Sequence, residues 1–248
     1  MRKKKVLSKI NPLFLTGIAH RGLHNAEFTE NGMKAFDNAI KHNLPIELDI
    51  HLTKDGELVV CHDEDLVRTT GKEGIIEHLT LKEIRDNYRL LDGGVIPTFI
   101  EVLDFVKERV PMVVELKVFE LNYKPLSAKV MEVMKEKVID KKNFLLISFD
   151  PRSLWPLKKL GIIRSLLATG GEFFYVYRYF RHSVESVDLD LTLFDKKQIQ
   201  RYHRHYFVNA WTIENEEQLD KVLPYVDTVT FQLMDENIVR TKLQNKIR

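Results

Sequence analysis

Eight short apolar or β-branched runs alternate with stretches of helical period along almost the whole 248-residue chain, and that alternation restricts the fold more than any other feature. The runs fall at 14–20, 45–53, 112–117, 143–149, 162–169, 188–194, 206–213 and 227–233. Helical spacing of apolar residues marks 31–42, 99–109, 125–137, 151–160, 196–203, 215–223 and 235–246. In the first of these, Met33, Phe36, Ala39 and Ile40 share a face, and Glu30 or Asn31 is placed to cap its start. Strands and helices in strict alternation imply a parallel sheet, and eight repeats meet the requirement of a closed (β/α)8, or TIM, barrel. An open doubly wound sheet is the alternative.

The chain reads as one α/β domain over 1–248, with 44% apolar residues to fill its core. One departure follows the second strand. There Asp55-Gly56 makes a tight-turn dipeptide and a further apolar run follows, which predicts a hairpin, and 68–97 then forms an insertion carrying the helical piece "TLKEIRDNY". The basic start, residues 1–11, is broken by Ser8, Lys9 and Asn11, too interrupted for a signal peptide, and reads as a flexible solvated tail able at most to touch an anionic membrane surface weakly. No run approaches the roughly 20 apolar residues of a membrane span. The 38 basic and 36 acidic residues nearly cancel, so no global field argues for nucleic acid. A single cysteine, Cys61, excludes an intrachain disulfide and fits a reducing, cytoplasmic setting. Oligomeric state is not readable.

The strand ends carry the chemistry. The first ends in His20-Arg21, the second holds Glu47 and Asp49, the hairpin ends at His62-Asp63, the third holds Glu115 and Lys117, and the seventh holds Trp211. Residues two apart on a strand share a face, and in a barrel the C-terminal strand ends converge on one mouth. Three carboxylates gathered there repel one another unless a cation lies between them. All-oxygen ligands favour Mg²⁺ or Ca²⁺ over zinc. Arg21 and Lys117 fit beside such a cation if the ligand is a phosphate, and two imidazoles suit the proton transfers of phosphodiester cleavage.

Each feature also has a plainer reading. Glu47 and Asp49 could be salt-bridge partners of Arg21 and Lys117. Trp211 is either a wall for a small substrate or barrel packing, and His24 either reaches the rim or is a loop residue. "RYHRHY" at 201–206 reads as a solvated helix end. Cys61 beside His62 points to the opposite face, which argues against a Cys-His pair. The aromatic segment "EFFYVYRYFRH" at 172–182 reads as helix packing or as contact with a larger alcohol or lipid head group.

In order and spacing, "HRG" at His20, "EN" at Glu30, "ELDIHLTKDGELVVCHD" from Glu47, "RTTG" at Arg68, "ELK" at Glu115 and "NAWTI" at Asn209 resemble the glycerophosphodiester phosphodiesterase family, within the phospholipase C-like phosphodiesterase superfamily. The resemblance implies a barrel hydrolase that takes glycerophosphodiesters to glycerol 3-phosphate and an alcohol. It implies Glu47, Asp49 and Glu115 as ligands of one divalent cation, Mg²⁺ or Ca²⁺, and His20 and His62 as the acid/base pair. Arg21 and Lys117 would clamp phosphate, and Trp211 would line the substrate site. A free glycerol hydroxyl would attack first, giving a cyclic phosphate that water opens. The chain departs from the family pattern at Thr29, where proline is common, and at the end of the eighth strand, which lacks the usual Gly and Thr-Asp-x-Pro turn. A lysophospholipase D-like enzyme and a non-catalytic barrel that binds phosphodiesters or lipid surfaces are the alternatives.

Overall fold

The computed structural model describes residues 2–138, 140–170 and 179–247. Eight parallel strands close into a barrel: β1 (Ile18–Ala19), β2 (Ile46–Leu52), β4 (Met112–Leu116), β5 (Phe144–Ser148), β6 (Ile163–Ala168), β7 (Ser186–Asp190), β8 (Phe207–Ile213) and β9 (Thr228–Phe231). The short strand β3 (Leu58–Val60) pairs antiparallel with β2 as the expected hairpin. Closure is made by β1, which pairs with β2 through Ala19 and Ile46 and with β9 through Ile18 and Thr230.

Alternation along each strand divides the interior from the helical shell. On β4, Met112, Val114 and Leu116 pack outward against helices, whereas Val113 points into the barrel and Glu115 follows on the same face. Two helices start on full capping boxes, Thr80 with Glu83 for Leu81–Asn87 in the insertion and Thr98 with Glu101 for Phe99–Val106. The insertion has a small core of its own that includes Val59, Leu66, Ile76, Ile84 and Tyr88. Cys61 is buried there, where desolvation pushes its thiol up to about 12, so no thiolate is at hand beside His62.

The N-terminal segment corrects the expectation of a flexible tail. Residues Arg2–Leu7 form a helix, Pro12–Thr16 a 3-10 turn capped by Asn11, and Val6, Ile10 and Phe14 are buried with Ile18, Val113, Leu145, Ile163 and Phe207 in a cluster at the barrel base. Lys3 pairs with Asp227 at 2.5 Å, and the Thr228 hydroxyl donates to the Phe14 carbonyl at 2.5 Å. The physical reason is the base itself: an open barrel end would expose those inward apolar side chains, and the interrupted pattern of Val6, Ile10 and Phe14 is what one short helix and a turn need to cover it. Gly17 joins this plug to β1 at φ +96°, where a Cβ would lie 2.8 Å from Val239.

The sixth run is shifted. The expected strand at 188–194 is found at Ser186–Asp190, because the Asp190 carboxylate accepts from the Thr192 backbone N–H at 2.8 Å and turns 191–195 into a 3-10 helix. Most of the aromatic segment at 172–182 lies outside the described residues. Within the described part, Phe180 packs on Trp155 with ring centres 5.6 Å apart.

Candidate active site

At the C-terminal mouth, side chains of β2 and β4 bring Glu47, Asp49 and Glu115 together, buried, with one carboxylate oxygen of each within 4.8 Å of the others. The register places Asp49 beside Glu115 on adjacent strands. This is the one group of three ligating side chains among the described residues. Burial and the mutual repulsion of the three carboxylates raise Glu47 well above the usual glutamate range. Glu115 is raised to about 7, by burial against the pull of Lys117. Asp49 stays low despite its burial, held by Lys117, His62 and Arg21. Its Oδ1 is buried and accepts no hydrogen bond among the described residues. A compact, all-oxygen, buried carboxylate cluster with a free lone pair fits a hard divalent cation.

Two cations flank the cluster. Lys117 Nζ lies 3.0 Å from Glu115 Oε1 and 3.5 Å from Asp49 Oδ1. The Arg21 backbone N–H donates to Glu47 Oε2 at 3.0 Å, its Nε lies 3.6 Å from Asp49, and its Nη1 donates to Glu30 at 2.7 Å. The plainer salt-bridge reading therefore holds in part, since both cations touch the carboxylates. It leaves unexplained why the pairs open onto a cavity of about 290 Å³, whose walls include His20, Arg21, Glu47, His62, Glu115, Lys117 and Trp211.

Each histidine is oriented by its own acceptor. His20 Nδ1 meets Gln232 Oε1 at 2.6 Å, and the oxygen assignment follows because Gln232 Nε2 donates to Glu214 at 2.6 Å. Burial, with Arg21 adding to it, lowers His20 to about 4. His62 Nδ1 donates to Asp63 Oδ1 at 2.6 Å, and burial lowers it as well. Arg68 then ties Asp63 to Glu30, at 2.6 and 2.8 Å. His51, from β2, contacts the His62 carbonyl at 3.1 Å and Glu77 at 2.6 Å. His24 reaches the rim, 3.3 Å from Gln232.

Glu30 and Asn31 do not cap the helix Met33–Lys41, whose N-cap is Gly32. The Asn31 amide donates instead to Asp49 Oδ2 at 2.9 Å, and Glu30 links Arg21 to Arg68. Thr29, where the family pattern has proline, uses its backbone N–H and its hydroxyl to bind Asp92 of the insertion. Trp211 stacks edge-on against Phe149 with ring centres 5.7 Å apart. Sequence reasoning missed Gln232, Glu214 and His51. Gln232 shares a face with Thr228 and Thr230 by strand parity, a signal that was available.

Comparison with known proteins bears on the family and the fold. The model of the glycerophosphoryl diester phosphodiesterase family matches residues 20–231. A glycerophosphodiester phosphodiesterase of Caldanaerobacter subterraneus subsp. tengcongensis is 36% identical over 156 residues, covering 58% of this chain and 62% of that one. One from Bacillus altitudinis is 36% identical over 151 residues, 57% and 61% of the two chains. The chain thus spans about three fifths of the length of the curated relatives it matches. Among solved structures, an Oleispira antarctica phosphodiesterase in complex with the product sn-glycerol-3-phosphate aligns with a TM-score of 0.77 at 25% identity, over 98% of both chains. The glycerophosphodiester phosphodiesterase of Thermotoga maritima aligns at 0.71 and 27%, over 94% of this chain and 98% of that one. With the family model running from the first histidine of the mouth to the last strand of the barrel, the chain belongs to the glycerophosphoryl diester phosphodiesterase family.

Proposed function

We propose that the protein is a metal-dependent phosphodiesterase that hydrolyses glycerophosphodiesters to glycerol 3-phosphate and an alcohol. The observation that carries this reading is that two imidazoles, each held at Nδ1 by a separate acceptor, border the same cavity as three buried carboxylates, a guanidinium and an ammonium. Glu47, Asp49 and Glu115 would hold one Mg²⁺ or Ca²⁺. When bound there, the cation supplies Lewis acidity and charge neutralisation to a phosphate.

The chain's own groups divide the remaining work. Arg21 and Lys117 hold non-bridging phosphate oxygens by charge-assisted hydrogen bonds. His20 donates its Nδ1 hydrogen to a neutral amide, which leaves Nε2 with a lone pair to take a proton from the attacking hydroxyl. His62 is held at Nδ1 by the Asp63 carboxylate, which stabilises positive charge on the ring against the burial that lowers it, and its Nε2 would deliver a proton to the leaving alcohol oxygen. If a glycerol hydroxyl attacks first, the two exchange roles when water opens the cyclic phosphate.

Purified protein with Mg²⁺ or Ca²⁺ is expected to release glycerol 3-phosphate from glycerophosphocholine, with chelator abolishing the release. His20→Ala and His62→Ala are each expected to lower the rate by ~10² or more. Unchanged turnover in the double variant would refute the mechanism.

A larger substrate, such as a lysophospholipid, has one specific observation behind it. A second cavity of about 530 Å³ adjoins the first through Glu115, Lys117 and Phe149 and is bordered by Leu116, Val118, Pro151 and Phe180. Comparing acylated with deacylated substrates decides between the two.

A further inference from the structure

Across the cavity from the carboxylate cluster, β7, β8 and β9 contribute a buried polar group to which the steps above give no role. Asp188, Asn209 and Thr230 are 3%, 3% and 2% exposed, and all three border the cavity. The Asn209 amide nitrogen donates to Asp188 Oδ1 and, at 2.9 Å, to the Thr230 hydroxyl. Both amide hydrogens are therefore spent, and these two acceptors fix which end of the amide is nitrogen. The other end, Asn209 Oδ1, is buried with no partner among the described residues, and so is the indole Nε1 of Trp211 two residues along the same face.

A purely structural polar layer would close on itself. An orphaned amide oxygen in a barrel interior is costly, and two such atoms on residues that border one cavity call for an explanation. One is an acceptor and the other a donor, which is the complement of a hydroxyl group. The same cavity carries the phosphate-binding Arg21 and Lys117 on its other side, so a ligand that spans it has a phosphate at one end and hydroxyls at the other.

Building on the reading above, we propose that Asn209 Oδ1 and Trp211 Nε1 recognise the hydroxyls of the glycerol moiety, with Asp188 and Thr230 as positioning residues that lock the amide so its oxygen faces the substrate. The ligand class is a short polyol phosphate. Asp188 suits its part: burial raises its carboxyl above the usual aspartate range, against the Ser165 hydroxyl and the Asn209 amide.

The test is a binding ratio, which does not depend on turnover. Mg²⁺-loaded protein is titrated calorimetrically with sn-glycerol 3-phosphate and with n-propyl phosphate, which has the same chain without hydroxyls. The wild type is expected to prefer glycerol 3-phosphate by roughly tenfold or more. Asn209→Leu is expected to bring that preference to about threefold or less while propyl phosphate affinity stays put. Thr230→Val, which frees one amide hydrogen without changing side-chain shape, lowers the preference in the same direction and serves if the Leu variant does not fold. A wild type that does not discriminate, a ratio unchanged in the folded variants, or equal weakening of both ligands overturns the proposal. A protein that discriminates in this way yet never cleaves glycerophosphodiesters would sink the enzymatic reading and leave hydroxyl recognition standing.

Discussion

Gln232 and His20, 212 positions apart in the chain, meet at 2.6 Å, so the eighth barrel strand end sets the orientation of a residue at the end of the first. The contact forms where the chain departs from its family's usual turn. Gln232→Leu keeps the bulk and removes the acceptor. The kcat for glycerophosphocholine is expected to fall by about 10- to 100-fold, the range seen when a partner that orients a site residue is lost, with KM changed much less. Steady-state kinetics on the folded variant check this.

Asp49 is the most tightly enclosed of the three carboxylates, with Lys117, Arg21 and Asn31 all directed at it. Asp49→Asn preserves those neighbours' shape but removes a negative charge from the cluster. Calorimetric Mg²⁺ affinity is expected to drop by at least about tenfold, and glycerol 3-phosphate release to fall with it. An undiminished affinity would move the cation elsewhere.

Glu30 gives a pH prediction with a definite sign. Burial alone would raise its carboxyl, but Arg68 and Arg21 outweigh it and lower the value from 4.5 to about 2. A depressed folded-state value means the ionised form favours folding: the contribution is complete above about pH 4.5 and is lost as pH falls toward 2. Urea titrations should therefore find Glu30→Gln less stable than wild type at neutral pH, with the gap narrowing through that acid window.

Phe14 is fully buried at the base of the barrel. Phe14→Ala is expected to cost about 3–5 kcal/mol, as for other large aromatic truncations in well-packed cores. Removing residues 2–10 takes Val6 and Ile10 with it and should lower the thermal midpoint, whereas loss of a solvated tail would leave it unmoved. Chemical and thermal denaturation measure both.

The strands were legible because parallel barrel strands are buried on both faces and read as near-continuous apolar runs, as Met112–Leu116 and Phe144–Ser148 do. That His20, Glu47, Asp49, His62, Glu115 and Lys117 come together at the mouth was legible because charge at the end of such a run has few structural explanations. The partners that hold them were less so. Gln232 looks like any rim residue until the barrel closes, and Asn31 sits where a helix cap belongs but spends its amide on Asp49. The N-terminal plug was hidden for a related reason: Val6, Ile10 and Phe14 are too few and too spaced to announce burial, and only the size of the opening they cover explains them.

That plug, with Val113, Leu145, Ile163 and Phe207 packed above it, leaves the cavity at the mouth closed from below. Whatever enters at the mouth has to leave by the same door. Under the proposed hydrolysis, glycerol 3-phosphate that occupies this cavity competes with incoming substrate, so its accumulation should raise the apparent KM and leave the limiting rate as it was.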